Sequence, residues 1–285
     1  MNSEQLSRAA GSLIELALAE DLPHGDPSSE FLVPPDHRSC GTIVADEALV
    51  LCGLPLVDAV FQALDTNFPS GSLHRDGTRV SPGEPVWEST GSTQTLLQGE
   101  RTALNFLQML SGIATNTAAF VAEAKKGASG VRVCDTRKTH PGFRVLSKYA
   151  VRCGGGANHR FSLSEMPMLK DNHRVTHETI HEAVTAIRSK VSHTARIEVE
   201  ADTLDQAREA AEAGADIILL DNMTPDEISR AVRELGDRVL LEASGEITLE
   251  TIRAYAATGV PVISAGAITH SSPAAGFSLS IASIV

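Results

Sequence analysis

Lys170, Glu200, Asp221 and Glu242 each close a short apolar run, in MPMLKD, RIEVEAD, DIILLD and RVLLEAS. Asp135 and Arg137 follow VRVC in the same way, and Ser244 and Gly266 stand just past later runs. If those runs are parallel strands, their C-terminal ends open onto one face, and residues far apart in sequence converge on one pocket. A strand that runs into a polar loop accounts for one or two such groups. Lys, Glu, Asp and Glu in succession call for pairing or a ligand, because charge near a barrel mouth is costly to leave alone.

Local charge suggests what the ligand is. Between residues 137 and 174 stand Arg137, Lys138, Arg144, Lys148, Arg152, Arg160, Lys170 and Arg174, opposed only by Glu165 and Asp171. The whole chain carries a formal charge of −12. A cationic cluster inside an acidic protein suits a small, multiply anionic ligand, and arginine grips carboxylate and phosphate bidentately. Arg144, Lys148 and Arg152 have the spacing of a solvated helix face. Arg137, Lys138, Arg160 and Lys170 follow or end strands and are the candidates for binding. His140, His159 and His173 share the window. The small-residue turns EASGE and SAGA can offer backbone N–H groups to phosphate. CGGGANHR lacks the spacing of a dinucleotide or P-loop motif. HETIH (177–181) fits the zinc-protease pattern, but no third ligand motif follows and its helix has an apolar side of its own, so zinc is not expected.

These residues must be carried by a suitable scaffold. The 285-residue chain has room for one large domain or two smaller ones. With only 4% aromatics, its core rests on Ala, Val, Leu and Ile, which suits buried parallel strands. Residues 4–20 have helical spacing, with Leu6, Leu13, Leu16 and Ala17 on one side. GTIVADEALVLCGL and DGTRVSPGEPVWESTGS read as short strands, which makes the first hundred residues an α+β unit. A long apolar helix, ERTALNFLQMLSGIATNTAAFVAEAKK, leads into alternating strands and helices. Glu200, Asp221, Glu242 and Ser264 are spaced by one compact βα unit each. Six clear strands suggest an incomplete (β/α) barrel, with a doubly wound sheet as the alternative. The acidic balance argues against nucleic acid. No stretch is long and apolar enough to cross a membrane, the opening residues do not read as a signal peptide, and four scattered cysteines read as reduced thiols, so a cytoplasmic protein is expected.

ALAEDLPHGD, ERTALNFLQMLSGIAT, DTRKTHPGFRVLSKYAVRCGGGANHR, LKDNH, EVE, LLDNM, EASG and SAGAITHS together resemble the quinolinate phosphoribosyltransferase family, over nearly the whole chain. The resemblance implies an α/β fold: an N-terminal α/β sandwich over 1–108, rejoined by 270–285, and an open, incomplete, about seven-stranded α/β barrel over 109–269. It implies phosphoribosyl transfer from phosphoribosyl pyrophosphate to quinolinate with decarboxylation, with Mg²⁺, in a homodimer or higher homo-oligomer with shared active sites. Residues matching the family's carboxylate-binding groups are Arg137, His159, Arg160 and Lys170, with Thr136 beside them and Arg101 supplied by the neighbouring subunit. Lys138 lies near the reacting centre. Glu200 and Asp221 face the ribose and its metal, and Ser244–Gly245 and Ala265–Gly266 take the 5′-phosphate. The sequence departs from the family's pattern at PSSE, FSLSEMPM, Glu246 and the tail GFSLSIASIV. A paralogue acting on another anionic acceptor, like the molybdenum-transport accessory protein ModD, is the first alternative, although Lys170 is present here. A Schiff-base lyase using Lys138 or Lys170 and a non-catalytic anion-binding protein are the others.

Overall fold

The computed structural model describes residues 3–284; the side chain of Arg174, one of the basic window, lies outside the described residues. Contacts divide the chain into two units. The first comprises residues up to Ala118 with His140–Gly155 and Ser272 onward, and the second comprises Ala119–Thr139 with Gly156–Ser271.

In the first unit, α1 (Ser3–Asp21) buries Leu6, Ala10 and Ile14, an i, i+4 stripe. Leu16, expected on the buried side, is 64% exposed, since two residues turn the helix by about 200° from Ile14. α2 (Pro27–Leu32) is capped by the Asp26 carboxylate, which accepts from the Ser28 N–H. β1 (Arg38–Ala45) alternates buried and open positions, and a two-residue ribbon joins β2 (Leu49–Val50) to β3 (Arg79–Val80). α3 (Leu54–Leu64) lies between them in sequence. β1 pairs antiparallel with β4 (Pro85–Ser92) on one side and with the last strand, β11 (Phe277–Ser283), on the other, so the chain end rejoins this unit.

α4 (Thr93–Gly127) starts seven residues before Glu100, where the apolar pattern begins, and the division at Ala118 falls within it. A continuous helix leaves no break at residue 108. α5 (Arg144–Cys153) groups with the first unit, whereas the sequence assigns it to the barrel. Its Tyr149 hydroxyl donates to Asp76, which also accepts the Leu54 N–H at the start of α3. The solvated face expected from Arg144, Lys148 and Arg152 is only partly present. Arg152 is exposed, but Lys148 is fully buried.

The second unit is built on a six-stranded parallel sheet: β5 (Arg132–Cys134), β6 (Met168–Leu169), β7 (Glu198–Ala201), β8 (Ile217–Asp221), β9 (Leu240–Ser244) and β10 (Val262–Ser264). Their order is β5-β10-β9-β8-β7-β6. The connecting helices are α6 (Ile180–Arg188), α7 (Leu204–Glu212), α8 (Pro225–Leu235) and α9 (Ile252–Ala257). Thr179, Thr203 and Thr224 cap α6, α7 and α8 by accepting backbone N–H groups, which fixes where each loop ends. A four-residue helix, α10 (Ala267–His270), follows β10.

Ala157 makes a one-residue parallel bridge to Cys134 on the free side of β5. Its N–H donates to the Val133 carbonyl (2.8 Å), and its own carbonyl accepts the Asp135 N–H (3.1 Å). This bridge stands where a seventh strand would run. Among the described residues no strand pairing joins it to β6, so the barrel is open there.

Candidate active site

Side chains alternate across a strand, so Glu198 and Glu200 of β7 share a face, as do Leu219 and Asp221 of β8, and Glu242 and Ser244 of β9. Strand register pairs them across the sheet, and burial separates those on the pocket from those beneath it. Glu200 lies opposite Leu219, Leu219 opposite Glu242, and Asp221 opposite Ser244. Equal spacing in sequence aligns Glu242 with Glu200 and Asp221. Register instead pairs Ser244 with Asp221 and leaves Glu242 two residues earlier, opposite Leu219, where it is 5% exposed and off the pocket lining.

Above that layer lies a pocket of about 780 Å³, within the second unit. Arg137, Lys138, Arg160 and Lys170 all line it, with Thr136 between the first strand end and the cations. Thr136 Oγ1 accepts the Lys138 N–H (3.0 Å), and the Lys138 carbonyl accepts from the Thr269 hydroxyl (2.7 Å), so the segment after β5 is held at both ends. Arg160 is buried, and one guanidinium nitrogen donates to the Met166 carbonyl (2.7 Å) in the segment that leads to β6. Burial and then the like charge of Arg137 lower its pKa, against the pull of Glu198. Two guanidinium groups on one pocket lining suit an anionic ligand that carries more than one negative charge.

Glu200 and Asp221 line the same pocket. Glu200 is ion-paired with Lys170. Burial raises the pKa of Asp221 above its ordinary value, although Lys170 and Lys138 pull it down. Two oxygen donors on neighbouring strands suit a hard divalent cation that keeps most of its ligands from water and phosphate.

Beneath them is a second tier. Asp135, Glu198 and Glu242 are all buried. Asp135 accepts from the Asn158 amide (2.6 Å) and from the His159 N–H (2.9 Å). His159 Nε2 is 3.2 and 3.1 Å from the two Glu198 oxygens and 3.6 Å from Glu242 Oε1. Burial pushes Glu242 up to about 7, with His159 opposing and Glu198 adding to the rise. Glu198 is absent from the sequence-derived candidates, although the alternation in EVE points to it.

Ser244, Gly245 and Gly266 line the pocket. Gly245 has φ +98°, and a Cβ there would lie 2.5 Å from the Asn222 backbone nitrogen, so only glycine fits. Glu246 follows at φ 47°, also lining the pocket. Ala265 is buried, donates its N–H to the Cys134 carbonyl and is not among the lining residues. His270, beside Gly266 on the lining, is missing from the sequence-derived candidates even though it belongs to SAGAITHS. Arg101 is an exposed residue of α4 in the first unit and does not line the pocket. His177 precedes the Thr179 cap of α6, so His177 and His181 do not share a helix face. Among the described residues the close trios of ligand-type side chains are Cys52–Asp76–Cys153 and His159–Glu198–Glu242, which include neither histidine of HETIH.

Comparison with known proteins identifies the family. Residues 26–111 match the family model for the quinolinate phosphoribosyl transferase N-terminal domain, and residues 113–280 match that for its C-terminal domain. The chain is 41% identical over 274 residues to a probable nicotinate-nucleotide pyrophosphorylase (carboxylating) of Bacillus subtilis, covering 95% of this chain and 91% of that one. It is 39% identical over 274 residues to nicotinate-nucleotide pyrophosphorylase (carboxylating) of Homo sapiens, with the same coverage. The crystal structure of NadC from Streptococcus pyogenes is similar with a TM-score of 0.93 at 38% identity, covering 100% of this chain and 99% of that one. With both domain models matched in order along most of its length, the chain belongs to the quinolinate phosphoribosyltransferase family.

Proposed function

We propose that this chain transfers a phosphoribosyl group from phosphoribosyl pyrophosphate to quinolinate and releases carbon dioxide, giving nicotinate mononucleotide and pyrophosphate for de novo NAD biosynthesis. The observation that carries this is the paired guanidinium groups of Arg137 and Arg160, with Lys170 on the same pocket wall. Quinolinate brings two carboxylates, and a pocket with several fixed cations matches that charge.

The pyridine nitrogen attacks the anomeric carbon as the bond to pyrophosphate breaks. Lys138 stands beside the leaving group, and Glu200 and Asp221 oppose the positive charge that develops on the ribose. The ring nitrogen is then cationic and stabilises the electron pair left on the adjacent ring carbon as the 2-carboxylate departs as carbon dioxide; that carbon takes a proton from water to give nicotinate mononucleotide, so no organic cofactor is needed. Ser244–Gly245, Gly266 and His270 take the 5′-phosphate; Ala265 supports that turn through its bond to Cys134. Glu200 and Asp221 would hold Mg²⁺ together with the substrate, and the ion would neutralise pyrophosphate charge.

Arg101 of a neighbouring subunit completes the site in a homodimer or larger homo-oligomer. Its exposure on α4 supports this. Four free cysteines suit the reducing cytoplasm, and no described helix is long and apolar enough to cross a membrane.

The test is turnover of quinolinate with phosphoribosyl pyrophosphate and Mg²⁺, followed as nicotinate mononucleotide. Nicotinate should not be turned over, because it leaves pocket cations without a carboxylate. EDTA should stop the reaction and Mg²⁺ restore it. Comparable turnover of nicotinate would instead favour a paralogue with another acceptor.

A further inference from the structure

We propose that Cys52, Asp76 and Cys153 form a binding site for one soft divalent cation of the Zn²⁺ class. All three belong to the first unit, and none of them lines the pocket. Cys52 stands between β2 and α3, Asp76 lies just before β3, and Cys153 ends α5, so no short spacing in the sequence announces the cluster. One ligand atom from each residue lies within 4.8 Å of the other two. Bonds of about 2.0 to 2.3 Å to a tetrahedral ion put neighbouring ligand atoms about 3.4 to 3.8 Å apart, so side-chain movements of about 1 Å seat one, with a fourth position left for water.

The ligands are already held from behind. The Cys52 N–H donates to Ser111 Oγ (2.9 Å), and the Ser111 hydroxyl donates to the Cys52 carbonyl (3.1 Å). Asp76 Oδ1 accepts the Leu54 N–H (3.1 Å), and Oδ2 accepts from the Tyr149 hydroxyl (3.0 Å). Such outer hydrogen bonds aim a carboxylate ligand. The Cys52 thiol donates to the Cys153 sulfur, so the two sulfurs face each other. Burial favours the protonated forms of Cys52 and Tyr149, and the Asp76 charge opposes their ionisation as well. A divalent ion offsets that repulsion: it takes the place of the two thiol protons, which are released, and balances two thiolates and a carboxylate. Thiolate sulfur selects a zinc-class ion over Mg²⁺, which keeps to oxygen and water. Cys52 is buried, whereas Cys153 and Asp76 are partly open, which gives the ion a side to enter by.

The experiment uses the full-length, fully reduced protein and Co²⁺ as a spectroscopic stand-in for Zn²⁺. Co²⁺ should bring up thiolate-to-metal charge-transfer absorption in the near ultraviolet, saturating at one equivalent. Zn²⁺ should abolish it and excess Mg²⁺ should leave it unchanged. Cys153→Ser should lose the absorption, and Tyr149→Phe, which removes the hydrogen bond behind Asp76, should weaken Co²⁺ binding about tenfold. An ion held instead by His159, Glu198 and Glu242 meets no sulfur and gives no such absorption. Absence of the absorption in the unmodified protein, or its survival in Cys153→Ser, would overturn the proposal. A second arm needs no variant to fold. In the unmodified protein Zn²⁺ should protect Cys153 from alkylation by iodoacetamide, read by peptide mass, and undiminished alkylation at saturating Zn²⁺ would equally overturn it.

Discussion

Glu200 and Asp221 end neighbouring strands, yet they stand in different electrostatic settings. Glu200 is already ion-paired with Lys170, whereas burial raises the pKa of Asp221 despite two nearby lysines. Both face a site where positive charge is expected to build only as the glycosidic bond breaks, so removing either charge should act on the transition state. Glu200→Gln and Asp221→Asn are each expected to lower kcat by about a hundredfold, the scale of one lost electrostatic stabiliser, and to change KM for quinolinate by less than about threefold. Steady-state kinetics with quinolinate varied checks this. A large KM effect with kcat intact would place these carboxylates on the acceptor. These two residues are legible in the sequence because each stands where an apolar run stops. His270 is not, because nothing in SAGAITHS distinguishes a histidine facing a pocket from one facing solvent.

At the level of strands, β7 carries Glu200 on the pocket and Glu198 beneath it, β9 carries Glu242 beneath it, and this lower tier should be visible in the pH dependence of stability. Glu242 keeps its proton to about pH 7 in the folded protein, against an ordinary value of 4.5 for a glutamate. The native state therefore holds the extra proton in that interval. Its stabilising contribution is full below about 4.5 and is lost as pH rises through about 7. The groups facing Glu242 are His159, Glu198 and Asp135, which the comparison between variants leaves in place. Denaturant unfolding at pH 5 and pH 8 should show a smaller loss of stability in Glu242→Gln than in the unmodified protein. Equal losses would assign the proton elsewhere. The strands, the intervening helices and the open barrel are readable from alternating apolar runs and caps such as Thr224. Register is not, since equal spacing in sequence cannot report the strand pairing that separates Glu242 from Asp221. The burial of Lys148 is likewise hidden, because a helical repeat of charges looks the same whether or not another element covers it.

At the level of the whole molecule, Arg101 is the test of whether one chain suffices. If it reaches a neighbour's pocket, Arg101→Ala and Lys170→Ala should each be nearly inactive alone. Co-refolded at random as dimers, half would be mixed, each with one intact site, so activity should return to about a quarter of the unmodified level. Hybrids that demonstrably form and remain inactive would confine Arg101 to its own chain. The open barrel has a different consequence. A closed barrel is stitched entirely by backbone groups, which no codon change short of proline can remove. Here the segment between Ala157 and β6 is held by a side chain, Arg160, on the Met166 carbonyl. If Arg160 also binds the quinolinate carboxylates as proposed, ligand affinity and the hold on this loop are inherited together at a single position. Drift to lysine would preserve the charge but leave one nitrogen for two tasks, so selection on either property constrains the other.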